Sequence, residues 1–330
     1  MTTTELEREA PLLTLDGLKK YYPIRKGIIK HTVGNVKAVD GVQLAIREGE
    51  TLGLVGESGC GKSTIGKTIV GLEKPTEGRI LFRGDDVSHY SREQMIKLRT
   101  ELQIVFQDPY SSLNPRMNVG DLLAEPLRVH RIVPKELVSK EVDRLLEIVG
   151  LPATSKQRYP HEFSGGQRQR IGIARALSLR PKLIVCDEPV SALDVSIQAQ
   201  VLNLLKGLQK ELKLTYLFIA HGLGAVKYVS DRIAVMYLGK IVEIAPTKEL
   251  FERPRHPYTK ALLDAFPIPN PRLRGRERIE LAGDVPSPVN PPSGCRFHTR
   301  CPNAQEKCRL QEPALTGDAD HPFACFFPID

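Results

Sequence analysis

Short apolar runs broken by glycine fill the first 55 residues of this chain. Apolar and polar positions alternate through residues 12–55, which predicts β-strands, and the last run, 51–55, is apolar and favours a strand. Residues 65–70 then predict a buried helix. The chain is therefore expected to begin with a β-rich part and to continue through a strand, a glycine-rich loop and a helix.

Buried strands and helices alternate along the middle of the chain. Residues 80–82 and 102–106 predict strands around a polar helix, and residues 183–186 and 214–220 predict two more strands. Residues 119–162 predict helices with one apolar face. That face is made by Leu145, Leu146, Ile148, Val149 and Leu151. The pattern predicts an α/β fold, in which ligands bind beyond the carboxyl ends of the strands.

The loop between the strand and the helix at the start of this unit fits the phosphate-binding pattern G-x-x-x-x-G-K-[ST]. Its members are Gly56, Glu57, Ser58, Gly59, Cys60, Gly61, Lys62, Ser63 and Thr64. Glycines let the backbone fold around a phosphate, and N–H groups at the helix N-terminus then face the anion. Lys62 would bring a positive charge to the outer phosphates, and Ser63 would offer a hydroxyl to Mg²⁺. A chance glycine turn is the alternative, and the flanking strand and helix argue against it.

Polar residues stand at the carboxyl ends of three predicted strands. They are Gln107, the adjacent acids Asp187 and Glu188, and His221. We expect Asp187 to hold Mg²⁺ and Glu188 to orient or deprotonate a water. Gln107 could touch the metal or the attacking water, and His221 could contact the γ-phosphate. Taken singly, each position also fits a role outside an active site. Gln107, Asp187 and Glu188 could be solvated loop residues, and His221 could be a structural histidine.

A second glycine pair opens a helix in the middle of the chain. The segment is Ser164-Gly165-Gly166-Gln167. Ser164 is a good N-cap, and the two glycines would let backbone N–H groups approach an anion. Since the loop 56–64 already wraps the phosphates of one nucleotide, the simplest explanation is a nucleotide shared with a second subunit. A capped helix with a close packing contact is the alternative.

The composition and charge of the chain indicate its class and its cellular compartment. Hydrophobic residues make up 41% and charged residues 26% of the 330 residues, which is ordinary for a soluble globular protein. Residues 1–9 have neither a basic start nor an apolar run, and no apolar stretch reaches the ~18 residues of a membrane helix. We therefore expect a protein of the cytosol or of the cytosolic face of a membrane. The net charge of +8 permits contact with anionic lipid or nucleic acid, but dispersed charges favour a solvated surface.

These motifs, in this order, resemble the nucleotide-binding subunit of an ABC transporter over about residues 12–250. The resemblance rests on the loop 56–64, Gln107, the signature 164–167, Asp187-Glu188, Ser191-Ala192-Leu193-Asp194 and His221. It implies an α/β P-loop NTPase cassette with a RecA-like mixed sheet. It also implies an N-terminal antiparallel β part and a helical subdomain at about residues 110–165.

The resemblance further implies a head-to-tail dimer of cassettes that closes on ATP. Residues 164–167 of one subunit would contact the nucleotide from one side. The residues of the other subunit that contact it from the opposite side would be Lys62, Gln107, Asp187, Glu188 and His221. Mg²⁺ would be held by Ser63, Gln107 and Asp187. Tyr22, which on its own is as well explained by a surface or core position, falls where the family stacks adenine. Gly222 follows His221 where the family commonly has aspartate, so the resemblance does not predict the structure of the loop at that point.

The C-terminal part of the chain indicates which subfamily of ABC transporters it resembles. Residues 253–263 look like the extension of oligopeptide and dipeptide importers, most like the dipeptide-importer ATP-binding subunit, and a stiff proline-rich connector spans residues 284–292. We expect two parts, an ATPase domain at 1–250 and a small cysteine-rich extension at 251–330.

Four of the six cysteines lie in this extension. They are Cys295, Cys301, Cys308 and Cys325. Clustered cysteines in a cytosolic protein suggest a metal site, and four thiolates can hold Zn²⁺ or an iron–sulfur cluster. The paired C-x₂-C spacing of a zinc ribbon is absent, and the resemblance implies a [4Fe–4S] cluster with Zn²⁺ as the alternative. Cys60 and Cys186 are not expected as ligands, because they lie in the phosphate loop and in a core strand.

The whole resemblance implies the ATP-hydrolysing subunit of a dipeptide or oligopeptide importer, peripheral on the cytoplasmic face of the membrane. Its expected partners are a second cassette that is a paralogue, two transmembrane permease subunits and an extracytoplasmic peptide-binding protein, without nucleic acid. The alternatives are an importer of another solute, such as nickel or glutathione, and a repair or chromosome-organising ATPase. Those ATPases usually carry a long insertion, whereas here roughly 120 residues without sustained heptads separate Lys62 from Asp187.

Overall fold

The computed structural model describes residues 10–27, 31–265 and 283–329. The prediction that the N-terminus carries no secretory signal concerns residues 1–9 and lies outside this part of the chain. The first sheet is antiparallel, with strand order β2-β1-β4-β5. Its strands are β1 (Leu13–Lys26), β2 (His31–Ile46), β4 (Glu77–Phe82) and β5 (Asp85–Asp86).

The second sheet is mixed, with strand order β11-β12-β10-β9-β3-β8-β7-β6. Its strands are β3 (Thr51–Val55), β6 (Leu102–Val105), β7 (Leu183–Asp187), β8 (Thr215–Ile219), β9 (Arg232–Tyr237), β10 (Lys240–Pro246), β11 (Thr316–Asp318) and β12 (His321–Phe323). Strands β6, β7, β8, β3 and β9 are mutually parallel, and β10, β12 and β11 pair antiparallel. Parallel pairing brings the carboxyl ends of β3, β6, β7 and β8 to one edge of the sheet.

Helices follow most of these strands. They are α1 (Lys62–Ile69), α2 (Arg92–Glu101), α3 (Pro109–Ser112), α4 (Val119–Val129), α5 (Val138–Ile148), α6 (Gly165–Leu177), α7 (Val195–Leu212), α8 (Leu223–Val229), α9 (Thr247–Glu252), α10 (Pro257–Ala265) and α11 (Glu306–Leu310). None of the helices in the described residues has the length and apolar character needed to cross a membrane. Residues 119–162 form the two α-helices α4 and α5 and short 3₁₀ turns, two of which begin directly after Pro134 and Pro152.

The central parallel strands of the mixed sheet are buried on both faces, which explains their apolar runs. Along β7, Ile184 and Cys186 join the core shared with helices α4 to α7. Leu183 and Val185 point the other way, into the core shared with α1 and the antiparallel sheet. Since strand side chains alternate between faces, this strand carries apolar residues at each position from 183 to 186, before Asp187 at its end. The predicted fold class, a mixed sheet with an antiparallel β part and a helical region, is confirmed.

The C-terminal extension docks on the far edge of the mixed sheet. Strand β12 pairs with β10 through Glu243 and Phe323, and the Ala324 N–H donates to Val242 O at 2.8 Å. Phe297 is 1% exposed and packs edge-on against Tyr237 of β9, with ring centroids 5.2 Å apart. The extension thus continues the sheet that carries the phosphate loop.

Candidate functional site

The phosphate loop joins β3 to α1 and needs glycine at two points. Gly56 has φ 154°, and a Cβ there would lie 2.1 Å from Met236 O. Gly61 is the N-cap of α1 with φ 110°, and a Cβ there would lie 2.0 Å from Ala38 O. Both glycines are therefore required by the close approach of neighbouring backbone and by positive φ. The loop between them stays open, with Ser58 and Gly59 exposed.

Lys62 is a buried cation at the base of this loop. Its side chain donates from Nζ to Gly56 O at 2.8 Å and to Glu57 O at 3.0 Å, and the residue is 4% exposed. Within the described ranges, no carboxylate pairs with this ammonium. A buried charge without an opposite charge is costly, so the site fits an anion that would compensate it. The phosphates of a nucleotide have the required negative charge.

Ser63 and Asp187 bring two hard oxygen ligands together. The Ser63 hydroxyl donates to Asp187 Oδ1 at 2.7 Å, although 124 residues separate the two in the chain. Ser63 lies in the first turn of α1 and Asp187 ends β7, so parallel pairing of the sheet explains their meeting. A hydroxyl and a carboxylate are the oxygen donors that Mg²⁺ takes beside nucleotide phosphates, and the pair therefore fits that ion.

Glu188 is bridged by two of the other predicted site residues. Gln107 donates from Nε2 to Glu188 Oε2 at 2.7 Å, and His221 Nε2 lies 2.5 Å from Glu188 Oε1. Glu188 is 5% exposed, whereas the His221 side chain is 43% exposed. The carboxylate is thus fixed by one neighbour on each oxygen and keeps lone pairs free for a water. This arrangement suits a base that must be held in one orientation.

The loop after His221 tolerates the glycine found there. Gly222 is the N-cap of α8 with φ −86°, and it offers no side-chain oxygen to the helix N–H groups. His221 nevertheless reaches Glu188, so the missing aspartate does not displace the histidine from this cluster. With Nε2 directed at Glu188, contact of the same nitrogen with a phosphate would require the ring to change partner.

The signature segment opens α6 as a capped helix. Ser164 Oγ accepts from the Gln167 N–H at 3.4 Å, and the Gln167 side chain accepts from the Ser164 N–H at 3.0 Å, a complete capping box. Gly165 is exposed, and a Cβ there would lie 3.3 Å from Leu193. A Cβ on Gly166 would lie 2.2 Å from Ile197 Cγ2 on α7. Close packing against α7 thus accounts for Gly166, and the exposed Ser164 and Gly165 remain available to another subunit.

Tyr22 and Thr64 are predicted site residues that make no described contact with the rest of the site. Tyr22 lies half-buried on β1, with Lys20 Nζ 4.9 Å from its ring centroid. Thr64 is half-buried in α1, and its carbonyl accepts from Thr68 Oγ1 at 2.7 Å. Their contact with a nucleotide stays a prediction.

Two residues that the sequence did not single out as part of the site hold the phosphate loop from the tail. The Glu57 N–H donates to Tyr258 Oη at 2.9 Å, and Arg300 donates to both carboxylate oxygens of Glu57 at 2.7 and 3.0 Å. Tyr258 and Arg300 lie 201 and 243 residues away in the chain. No local pattern could reveal them, because only the docking of the extension brings them to the loop.

The four cysteines of the extension lie near one another. The Cys295 N–H donates to Cys308 O at 2.8 Å. Burial, and to a lesser degree the neighbouring Cys295, Cys301 and Cys308, raise the pKa of Cys325 to about 11. Among the described residues, however, no group of three or more His, Cys, Asp or Glu side chains is arranged as a set of metal ligands. Cys60 and Cys186 are buried elsewhere, in the phosphate loop and in β7.

Comparison with known proteins identifies the family of this chain. A family model described as ABC transporter matches residues 39–191, and one described as oligopeptide/dipeptide transporter, C-terminal region, matches residues 242–308. The oligopeptide transport ATP-binding protein AppF of Bacillus subtilis is 55% identical over 95% of this chain and 96% of its own length. OppF of Salmonella typhimurium, an oligopeptide transport ATP-binding protein, is 51% identical over 97% of each chain. The dipeptide transport ATP-binding protein DppF of Haemophilus influenzae is 49% identical over 99% and 100%.

Two solved structures share the fold. One is a dimeric ATP-binding cassette in a post-hydrolysis state bound to ADP and Pi, with a TM-score of 0.64, 28% identity, and coverage of 71% of this chain and 98% of that one. The other is cbiO1 from Clostridium perfringens, part of an ABC transporter complex, with a TM-score of 0.64, 31% identity, and coverage of 74% and 92%. The chain belongs to the family of oligopeptide and dipeptide ABC transporter ATP-binding proteins.

Proposed function

We propose that this chain is the ATP-hydrolysing subunit of a membrane importer of oligopeptides or dipeptides. The observation that carries the proposal is the meeting of Lys62, Ser63–Asp187 and the Gln107–Glu188–His221 cluster at one sheet edge. The relatives named above, at about half identity over nearly the whole chain, are oligopeptide and dipeptide transport ATP-binding proteins. The division into an ATPase domain, 1–250, and an extension, 251–330, belongs to the same proposal.

The residues of this chain divide the chemistry among them. Lys62 exchanges its bonds to loop carbonyls for contacts with the outer phosphates of ATP. Ser63 and Asp187 would hold Mg²⁺. Gln107, which donates to Glu188, would help to orient the attacking water. Bound Mg²⁺ offsets negative charge on the phosphates. Glu188 accepts the proton of that water, while Gln107 and His221 keep its carboxylate in place.

The proposal includes a second cassette whose signature segment covers the nucleotide. The exposed Ser164 and Gly165 at the start of α6 would supply a hydroxyl and N–H groups to the γ-phosphate. Two permease subunits and an external peptide-binding protein complete the importer, and the cassettes lie on the cytoplasmic face of the membrane. ATP binding would close the two cassettes, and hydrolysis would reopen them.

One experiment tests the proposal directly. The chain is co-expressed with its permease subunits and a second cassette, reconstituted in vesicles, and assayed for ATP hydrolysis and uptake of labelled di- and oligopeptides. We expect peptide-stimulated hydrolysis that Lys62→Ala abolishes by weakening ATP binding. Hydrolysis stimulated by nucleic acid and unaffected by peptide would contradict the proposal, as would unchanged ATP affinity in Lys62→Ala.

We further propose that Cys295, Cys301, Cys308 and Cys325 hold a [4Fe–4S] cluster, with Zn²⁺ as the alternative. Four thiols in one small unit have the donor chemistry for either group, and their side chains would have to converge to bind it. Protein purified without oxygen should absorb broadly at about 400 nm and contain iron and sulfide. Colourless protein with one zinc per chain would show that zinc occupies the site instead of the cluster. Protein free of both metals would overturn the proposal that these cysteines bind a metal.

A further inference from the structure

The segment between the first two clustered cysteines, residues 295–301, reaches from the extension into the nucleotide site. Its Phe297 is buried against Tyr237 and Tyr258, with ring centroids 5.2 and 5.3 Å apart. Arg296 and Arg300, on either side of Phe297, are only 8% and 9% exposed. Buried arginines need partners, and both find them on the cassette.

Arg296 fixes the segment to the two strands that border the phosphate loop. Its guanidinium donates to Leu238 O, after β9, at 2.5 Å and pairs with the carboxylate of Asp40 on β2. Asp40 in turn accepts from the hydroxyl of Tyr21, the neighbour of Tyr22 on β1. The segment is therefore anchored beside the loop independently of Arg300.

Arg300 contacts the phosphate loop itself. It makes a bidentate pair with the Glu57 carboxylate at 2.7 and 3.0 Å. The backbone of Glu57 is held as well, since its N–H donates to Tyr258 Oη at 2.9 Å and its carbonyl accepts from Lys62 Nζ at 3.0 Å. Glu57 is thus fixed from three directions, two of which come from the extension.

We propose that residues 295–301 are a positioning element of the ATP site and that Arg300 is its positioning residue, acting through Glu57. A bidentate arginine–carboxylate pair fixes direction as well as distance, so it holds the loop in the shape that Lys62 and the glycines need. Loosening the loop raises the free-energy cost of ordering it around phosphate, which weakens ATP binding. The chemical step at Glu188 lies on another part of the sheet edge and is spared. This inference rests on the proposed ATPase function.

The test is a double-mutant cycle of Arg300→Gln and Glu57→Gln, read as ATP Kd and as the steady-state KM and kcat of the assembled transporter. Each single variant should raise Kd and KM, on the order of 5- to 50-fold, while kcat changes less than about twofold. In the Glu57→Gln background, Arg300→Gln should add less than about twofold, because its partner carboxylate is already gone. Arg300→Lys, which keeps the charge but loses the fork, should fall between wild type and Arg300→Gln.

The matched control is Arg309→Gln. Arg309 is an exposed arginine of the same extension, eight residues after Cys301, and its substitution should leave Kd and KM at wild-type values. Thermal melting of every variant separates loss of fold from loss of affinity. Wild-type Kd in well-folded Arg300→Gln, or equal effects of Arg300→Gln in both backgrounds, would overturn the inference. Should Arg300→Gln not fold, Glu57→Gln and Arg300→Lys decide by the same measurements. Failure of the wild type to bind ATP would instead count against the proposed function.

Discussion

Glu188 occupies a left-handed backbone conformation, with φ 50°. A non-glycine residue there is strained, and the surroundings must hold it in place. Its N–H donates to Ile219 O at 2.9 Å, and its carbonyl accepts from Ser191 Oγ at 3.1 Å. Backbone and side chain are therefore both fixed before any substrate binds, which places the carboxylate at the end of β7 in a single orientation.

Replacing Glu188 by Gln should separate binding from turnover. The amide has nearly the same size but cannot accept the proton of the water, so hydrolysis should fall roughly 10²–10⁴-fold while ATP binding persists. The measurement is single-turnover hydrolysis beside an ATP-binding isotherm. Glu101→Gln, which changes an exposed carboxylate paired with Arg83, is the control and should keep wild-type turnover. Wild-type hydrolysis by Glu188→Gln would remove this residue from the role of base.

Individual site residues were predictable to different degrees. Asp187, Glu188 and His221 could be found because each follows a strand of uninterrupted apolar residues, and such strand ends meet at one edge. The bond from Gln107 to Glu188 could not be found, since strand register and side-chain direction are not encoded locally. The role of Arg300 could not be predicted from sequence at all, because it depends on a contact with Glu57, 243 residues away in the chain.

At the scale of elements, α6 shows how one motif serves two purposes. The sequence indicated Ser164 as an N-cap, and the capping box confirms that part. It also favoured close approach of an anion to both glycines, whereas Ile197 of α7 lies directly above Gly166. The segment's first two residues remain exposed, so the packing contact fixes the helix while its tip stays free.

Alanine substitutions at two glycines of α6 should change the free energy of unfolding in opposite directions. At Gly166 a methyl group would lie 2.2 Å from Ile197 Cγ2, so either Ile197 must leave its position or α6 and α7 must separate, at a cost of about 1–3 kcal/mol. At Gly172 a methyl group would meet nothing within 4 Å, and alanine should stabilise the helix by about 0.5–1 kcal/mol. Urea unfolding of both variants measures the difference. Equal effects at the two positions would show that α6 does not pack on α7 in solution as described.

At the scale of the whole molecule, the sheet order was only partly accessible from sequence. Apolar runs located the strands β3, β6, β7 and β8, and the need to bury both faces predicted a layered α/β unit. The addition of β11 and β12 to the edge beside β10 was not predicted, because these strands have three residues each and no alternating pattern. Their docking depends on contacts of buried polar residues that lie far apart in sequence.

Glu243 forms the joint between cassette and extension. It is fully buried on β10, and its carboxylate accepts from the N–H groups of Arg255 and His256 at 2.7 and 3.0 Å. His321 of β12 lies with Nε2 2.7 Å from the same carboxylate and with Nδ1 3.2 Å from Glu249 on α9. These carboxylates raise the pKa of His321, chiefly through its hydrogen bond to Glu243. Burial instead lowers the pKa of His256 to about 4.

The two histidines should make stability depend on pH in opposite directions. Because the folded pKa of His321 is raised, its stabilising contribution is complete below the unfolded value of about 6.5 and is lost as pH rises through the folded pKa. The lowered pKa of His256 acts on the acid side, where stability falls as pH drops from about 6.5 towards 4, since the unfolded chain takes up the proton first. His321→Gln should therefore flatten the alkaline decline of the melting temperature and keep the acid decline, measured from pH 5 to 9. A wild-type alkaline slope that survives in His321→Gln would mean that the joint at Glu243 does not depend on a charged His321.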